Sequence, residues 1–198
     1  RQARLAFILN VTINADKSIR AAFAGHPEEA HAAGCRHLAS EVTVPRMPAD
    51  IVITGNGGYP LDQNIYQAVK GMTAAEACCK PGGTLIMVAG CCDGAGGEHF
   101  FRALADMKNP RELLAQIQRV PQDQTAPDQW EVQIFARILA KPRVILVSDV
   151  CDAAVIRSMG MDAAASLPEA IDIARRAASP EARVTVIPDG VSVIVEKA

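Results

Sequence analysis

The sequence has 198 residues, of which 20 are basic, 22 are acidic and 49% are hydrophobic. This length suffices for one domain, or one domain with an appendage, whose core needs neither disulfides nor a structural metal. A net charge of −2 and few aromatic residues disfavour nucleic-acid binding, and no apolar stretch approaches the ~20 residues of a membrane-spanning helix. The N-terminal segment does not resemble a secretion signal, so we expect a cytoplasmic protein.

The first 45 residues predict a hairpin followed by a helix. Apolar residues over 5–13 and 19–23 flank the turn-forming residues 14–18, a pattern typical of two paired strands. Residues 27–38 begin with a proline and two glutamates and continue with apolar residues at helical spacing, which predicts a helix. Prolines then interrupt the chain at positions 45 and 48.

Beyond these prolines, predicted strands and helices alternate. The strands are expected at 51–54, 84–89, 144–148 and 184–187, and the helices at about 62–79, 98–118 with a break at Pro110, 130–139, 153–159 and 167–177. Strict alternation requires crossover connections, which are typical of parallel sheets. The sequence therefore predicts an α/β fold with a mostly parallel, Rossmann-like sheet, helices on both of its faces, and a short hairpin-helix segment before it.

The best candidate for ligand binding is the glycine-rich segment that follows strand 51–54, because ligands of open α/β sheets bind beyond the carboxyl ends of strands. This segment enters a helix that Asp62 is expected to cap. Tyr66, Gln67 and Lys70 share one side of that helix, and their ring, amide and ammonium groups suit a small carboxylate. The helix N-terminus would add attraction for an anion. The same spacing also fits a solvated helix face with Tyr66 in the core.

A second glycine-rich segment, 90–100, follows strand 84–89. Its glycines at 94, 96 and 97 do not match the G-x-G-x-x-G pattern of dinucleotide-binding folds, and the chain has no phosphate-binding loop, so binding of NAD or ATP has weak support. His99 is a candidate acid or base in this segment, but it fits equally well as the residue that begins a helix.

Metal and nucleophilic chemistry have little support in this sequence. His26, His31 and His37 are five and six residues apart, unlike paired ligands on a helix, and the six cysteines lack C-x2-C spacing. We therefore expect reduced, buried thiols. No serine lies in a G-x-S-x-G motif. No catalytic residue and no metal ligand are assigned to this chain.

Residues 50–70 resemble the signature of the nickel-dependent lactate racemase family; they read Asp50-Ile51-Val52-Ile53-Thr54-Gly55-Asn56-Gly57-Gly58-Tyr59-Pro60-Leu61-Asp62-Gln63-Asn64-Ile65-Tyr66-Gln67-Ala68-Val69-Lys70. The resemblance continues through Lys80-Pro81-Gly82-Gly83, the loop 93–100 and Trp130, and it covers the C-terminal part of that family. It implies the substrate-binding portion of an enzyme that racemises 2-hydroxy acids by removing a hydride from C2 and returning it to the opposite face.

The same resemblance implies a cofactor and the roles of four residues. The cofactor would be a nickel pincer nucleotide, pyridinium-3,5-bisthiocarboxylic acid mononucleotide nickel, bound mainly by an N-terminal catalytic domain that also holds the acid and base histidines. Gln67 and Lys70 would bind the substrate carboxylate or its surroundings. Tyr66 would lie near the cofactor, as would Trp130, which would line the cleft between the domains.

The resemblance also implies a division of the chain. Residues 1–45 would be the tail of the N-terminal catalytic domain, 46–178 the C-terminal α/β domain, and 179–198 a terminal strand segment that returns toward the first domain. The outer segments would then lack packing partners, and the isolated chain would be inactive. Two alternatives stay open: a non-catalytic α/β module that binds small carboxylates or other anions, and a nicotinamide-dependent oxidoreductase without the usual fingerprint.

Overall fold

The computed structural model describes residues 5–14 and 16–196, and the chain divides into two compact units between Val44 and Pro45. Residues 1–4, the first part of the N-terminal segment that does not resemble a secretion signal, lie outside the described residues. No helix in the described ranges is both long and apolar enough to cross a membrane.

The first unit is a hairpin with a helix packed on one face. Strands β1 (Ile8–Ile13) and β2 (Ile19–Gly25) are antiparallel, and helix α1 (Pro27–Val42) contacts both before the two-residue strand β3 (Thr43–Val44). The predicted hairpin is confirmed. The helix continues four residues beyond its predicted end at Leu38, because Ala39 to Val42 carry no helix-breaking residue.

The second unit is built on a five-stranded parallel sheet with the strand order β7-β6-β5-β4-β8. Its strands are β4 (Ala49–Gly55), β5 (Cys79–Val88), β6 (Arg143–Val147), β7 (Asp162–Ala164) and β8 (Val184–Ile187), and a two-residue strand β9 (Ile194–Val195) follows. Its helices are α2 (Ile65–Cys78), α3 (Glu98–Ala105), α4 (Pro110–Ile117), α5 (Gln129–Leu139), α6 (Ala153–Ser158) and α7 (Leu167–Ala177), with a 3-10 turn at Gln122–Gln124.

Alternating side chains of the central strands fill two separate hydrophobic clusters, one on each face of the sheet. In β5, Leu85 and Met87 belong to the larger cluster, which also holds the buried sides of α2, α3 and α5. Ile86 points the other way, into a smaller cluster covered by α7. Helices therefore cover both faces, as predicted, and the α/β fold with its preceding hairpin is confirmed.

Several element boundaries differ from the predicted ones. Strand β5 begins at Cys79 rather than Thr84, so Pro81-Gly82-Gly83 lies inside the strand, where its pairing register with β4 shifts. Strand β7 was not predicted, since three residues show too short a pattern. Strand β8 pairs with β4, so residues 184–187 belong to the sheet although the expected domain boundary precedes them.

Candidate functional site

The site is built where α2 begins, at the carboxyl ends of β4 and β5. Asn64 caps the helix, since its side-chain oxygen accepts a hydrogen bond from the Gln67 N–H at 3.0 Å. The expected cap, Asp62, lies earlier in the loop and instead accepts a hydrogen bond from the Gly90 N–H at 2.9 Å, which fixes the loop after β4 to the end of β5. Asn64 and Gln67 have the spacing of a capping box, the signal that locates this helix start.

The second glycine-rich segment closes the N-terminal end of α2. The N–H groups of Ile65 and Tyr66 donate to the carbonyls of Gly94 and Ala95 at 3.0 and 3.1 Å. With Gln67 bonded to Asn64, the first three amides of the helix are satisfied within the protein. The prediction that these amides attract an anion is therefore wrong, because their N–H groups already donate to acceptors within the protein.

Gly96 allows this close contact between the loop and the helix. Its φ is +100°, and a Cβ atom there would lie 2.8 Å from the Cβ of Tyr66 and 3.0 Å from the side chain of Asn64. Any other residue would push the loop away from α2. Gly96 thus serves the packing of the loop on the helix. His99 is exposed in the first turn of α3 beyond it.

Buried Asn56 holds the loop after β4 against α2. Its amide nitrogen donates to the carbonyls of Leu61 and Gln67, and its oxygen accepts from the Gly71 N–H at 2.9 Å. Because the Asn56 side chain joins the loop to two turns of the helix, it fixes the direction in which the Gln67 and Lys70 side chains project from the helix.

The structure brings Tyr66, Gln67, Lys70 and Trp130 together in one cluster. The Lys70 ammonium donates to Gln67 Oε1 at 2.6 Å and lies 6.0 Å from the centroid of the Tyr66 ring. The Trp130 ring, from the first turn of α5, meets the Tyr66 ring edge to face with a centroid distance of 6.0 Å. Trp130 is 51% exposed and Lys70 is also exposed, so both present their groups to solvent.

Aromatic contacts connect this exposed cluster to the core. Tyr66 lies 5.2 Å from Phe100 in an edge-on arrangement, and Phe100 stacks on Phe135 at 6.0 Å. Both phenylalanines are fully buried in the larger hydrophobic cluster. Tyr66 therefore packs partly against the core, as expected if this side of α2 were a solvated helix face with Tyr66 in the core. Gln67 and Lys70 remain available at the surface.

Two acidic residues at the start of α5 complete the surroundings of the cluster, and neither was predicted from the sequence. Asp128 accepts a hydrogen bond from the Tyr66 hydroxyl at 3.4 Å. Glu131 is only 1% exposed, and its burial raises the pKa of this carboxyl to about 7, against the lowering effect of the Lys70 charge. Burial, followed by the two carboxylates, also raises the pKa of Tyr66, so its phenol stays protonated.

An ion cluster holds α2 and α5 side by side. The Glu76 carboxylate is 6% exposed and accepts from Arg137 Nη2 at 2.7 Å and Lys141 Nζ at 2.6 Å. A nearly buried acid with two cationic partners is well satisfied, so these contacts fix the distance between the helices that carry Lys70 and Trp130.

Among the cysteines and histidines, Cys35 Sγ lies 3.4 Å from His31 Nε2 on the surface of α1. All six cysteines are free, and Cys78, Cys79 and Cys91 are buried while Cys35 and Cys92 are exposed. Burial raises the pKa of Cys91 to about 12, which keeps it a thiol. Within residues 5–14 and 16–196, no group of three or more histidine, cysteine or acidic side chains could hold a metal ion.

These features define an α/β domain of the kind that places ligands at the carboxyl edge of a parallel sheet, with a cation, an amide and two aromatic rings exposed there. Residues 44–195 match the family described as the lactate racemase C-terminal domain, and the chain belongs to this family.

Two relatives of the chain are described as lactate racemases. It is 51% identical over 197 residues to a lactate racemase of Thermoanaerobacterium thermosaccharolyticum and 54% identical over 196 residues to one of Lactiplantibacillus plantarum. These matches cover 100% and 99% of the chain but 46% of each relative, so the chain spans about half the length of the curated relatives it matches.

Two solved structures resemble the chain to different degrees. The lactate racemase apoprotein of T. thermosaccharolyticum superposes with a TM-score of 0.93 at 52% identity, covering 99% of this chain and 47% of that one. A protein of Thermotoga maritima superposes with a TM-score of 0.56 at 13% identity, covering 96% of this chain and 49% of that one. The second match supports the fold alone.

Proposed function

We propose that the chain is the C-terminal, substrate-binding portion of a lactate racemase that acts on a small 2-hydroxy acid. The observation that carries the proposal is the hydrogen-bonded pair of Lys70 and Gln67 beside the exposed Trp130 ring. The family membership and the two racemase relatives support the choice of a 2-hydroxy acid over other carboxylates.

Lys70 and Gln67 are arranged to bind a carboxylate without rearrangement. Gln67 Oε1 accepts one ammonium hydrogen of Lys70, which leaves the Gln67 amide hydrogens and the other ammonium hydrogens as donors. In this proposal both groups donate to the substrate carboxylate, while the Tyr66 and Trp130 rings exclude water on one side. Charge-assisted hydrogen bonds of this kind contribute ~1.5–3 kcal/mol each.

In this proposal, this chain contacts the nickel pincer nucleotide at its surface, and another domain binds it. The exposed aromatic surface of Trp130 suits contact with a flat, positively charged ring, as the family resemblance implies for Tyr66 and Trp130. In this proposal the nickel ligands come from another domain, as the family resemblance implies. When bound, the cofactor would supply hydride-transfer chemistry at C2, and Lys70 and Gln67 of this chain would hold the substrate carboxylate in place.

The first unit supports the inference that another domain completes the enzyme. The outer face of its hairpin exposes Leu9, Val11 and Ile13, while α1 covers the inner face. Such an apolar face is unusual for a surface exposed to water. We propose that residues up to about 45 are the tail of an N-terminal catalytic domain, that the α/β domain follows, that the residues after β8 return toward the first domain, and that the isolated chain does not racemise lactate.

The alternative, a stand-alone anion-binding module, is weakened by the arrangement of the glycine loops. The start of α2 would be one source of donors for such a module, but the amides of Ile65, Tyr66 and Gln67 are bonded inside the protein. It makes a distinct prediction: lactate alone would raise the melting temperature of the 198-residue chain. No response in that experiment favours a site that only another domain completes.

The direct test is Lys70→Ala in the full-length racemase. We expect kcat/KM for lactate to fall by an amount equivalent to ~2–5 kcal/mol, the usual cost of removing one partner of a charged pair. Lys108→Ala is the matched control, since Lys108 is exposed between α3 and α4 and makes no contact with the cluster. Equal activity of both variants and the wild type would contradict carboxylate binding by Lys70.

A further inference from the structure

Glu131 is a buried acid beside the proposed substrate site. It is neither one of the residues proposed to bind the substrate nor the cap of α5. Its side chain faces inward from the first turn of α5, directly after Trp130. The Oε1 atom is fully buried and has no hydrogen-bond partner within the described chain. A buried carboxylate oxygen without a partner is costly, whereas a protonated carboxyl is much less so.

Burial is the main cause that raises the pKa of this carboxyl; the charge of Lys70 lowers the pKa and that of Asp128 raises it. Lys70 makes its hydrogen bond to Gln67 and does not lie within ion-pair distance of Glu131. Glu131 also acts on the Tyr66 hydroxyl, which donates to Asp128. Four groups, two on α2 and two at the start of α5, therefore share one electrostatic environment.

Charged groups on the other helices packed around α5 are engaged elsewhere. Glu98 and Arg102 of α3 pair with each other at the surface, and His99 of that helix is exposed. On α4, Glu112 is exposed and Arg111 reaches the Ala140 carbonyl beyond the opposite end of α5. The Glu76 carboxylate of α2 is bonded to Arg137 and Lys141 further along α5. The balance of charge at Glu131 thus depends on Lys70 and Asp128.

We propose that Glu131 is a positioning residue whose proton controls how strongly Lys70 attracts the substrate carboxylate. This inference rests on the proposed function. When Glu131 is neutral, the Lys70 charge acts on the substrate alone. When Glu131 is ionised, its charge competes with the substrate for the same ammonium group and also repels the incoming carboxylate.

The direction of the pH dependence follows from this competition. Because burial already raises the pKa of Glu131 to about 7, the carboxyl changes its charge near neutral pH. A substrate anion favours the protonated form, so substrate binding takes up a proton when the pH exceeds that value. Substrate affinity is therefore highest at lower pH and falls by up to about tenfold per pH unit as the pH rises past the pKa of Glu131.

The first experiment measures KM and kcat for lactate with the full-length holoenzyme from about pH 6 to pH 9. We expect the wild-type KM to be constant at low pH and to rise above neutrality, and Glu131→Gln to remove this rise while leaving the shape of the kcat profile unchanged. Glu131→Asp keeps a carboxyl and should keep a pH-dependent KM. Glu98→Gln is the matched control on an exposed helix surface, and its profile should equal that of the wild type.

The second experiment follows the carboxyl itself, by carbon-13 NMR of the glutamate-labelled full-length protein, with Glu131→Gln to assign the resonance. We expect a titration midpoint near neutrality that moves upward when lactate is added. A midpoint near that of an exposed glutamate, or a KM rise that persists in Glu131→Gln, would overturn the role of Glu131. A wild-type enzyme without racemase activity would instead contradict the proposed function, and with it this inference.

Discussion

The two compact units of the chain differ in how they bury their apolar side chains. In the sheet unit, residues from every strand of the parallel sheet and from all six of its helices lie in two hydrophobic clusters. In the hairpin unit, Ala30 is the one buried residue among those described, and Leu9 is 65% exposed and Ile13 55% exposed. The sheet unit contains its own core, whereas the hairpin unit covers apolar side chains on one face only.

This difference separates two requirements for folding. Burial of apolar area is the main favourable contribution to stability, at about 25 cal/mol per Å². The sheet unit obtains that contribution from its own residues. The hairpin obtains it on the inner face alone, so its outer face is expected to gain stability only against another surface. The stability cost of mutations in the hairpin unit should therefore depend on whether the proposed N-terminal domain is present, whereas the cost of mutations in the sheet unit should not.

The largest effect is expected from Phe100→Ala in the sheet unit. Phe100 is fully buried and joins Tyr66 to Phe135, so its removal leaves a cavity beneath the proposed site. We expect a loss of ~3–5 kcal/mol in the free energy of unfolding, measured by urea denaturation of the 198-residue chain. A loss below ~1 kcal/mol would contradict the self-contained core.

A smaller effect, and one that depends on context, is expected from Leu9→Ala on the outer face of the hairpin. In the 198-residue chain this exposed residue should change stability by less than ~0.5 kcal/mol. In the full-length racemase, where we propose that the face is covered, the same change should cost ~2 kcal/mol or more. Asn10→Ala, at an exposed position of the same strand, gives a control for surface truncation. Equal effects of Leu9→Ala in both proteins would refute the covered face.

The alternation of strands and helices made the fold of the sheet unit predictable from its sequence. Strand β8 and helix α7 were predicted at their observed bounds, because each has a strong pattern and clear flanking residues. Elements that depend on tertiary contacts were harder to predict. Strand β5 continues through Pro81-Gly82-Gly83, although the predicted strand begins at Thr84. Its pairing with β4 passes from Cys79 directly to Thr84, so the residues between them form an irregularity that no local pattern shows.

The site was predictable only where residues share a helix. The convergence of Tyr66, Gln67 and Lys70 followed from their spacing, whereas Asp128 and Glu131 come from a helix more than fifty residues further along the chain. Asp128 and Glu131 have the spacing of a capping box, which would place the glutamate at an exposed helix start. Packing against α2 buries it instead, and no local pattern shows that.

The smallest effect is expected from the loss of a helix cap, compared at the first residues of α2 and α4 in the sheet unit. Asn64 caps α2 through Gln67, and Asn109 caps α4 in the same way through the Arg111 N–H at 2.8 Å. Each change to alanine should cost ~1 kcal/mol of stability, the usual contribution of such a cap. Asn64 also packs against Gly96 and positions the residue whose amide we propose binds the substrate, so Asn64→Ala should raise KM for lactate in the full-length enzyme while Asn109→Ala leaves it unchanged. Equal KM values in the two variants would show that the cap of α2 stabilises the fold without positioning Gln67.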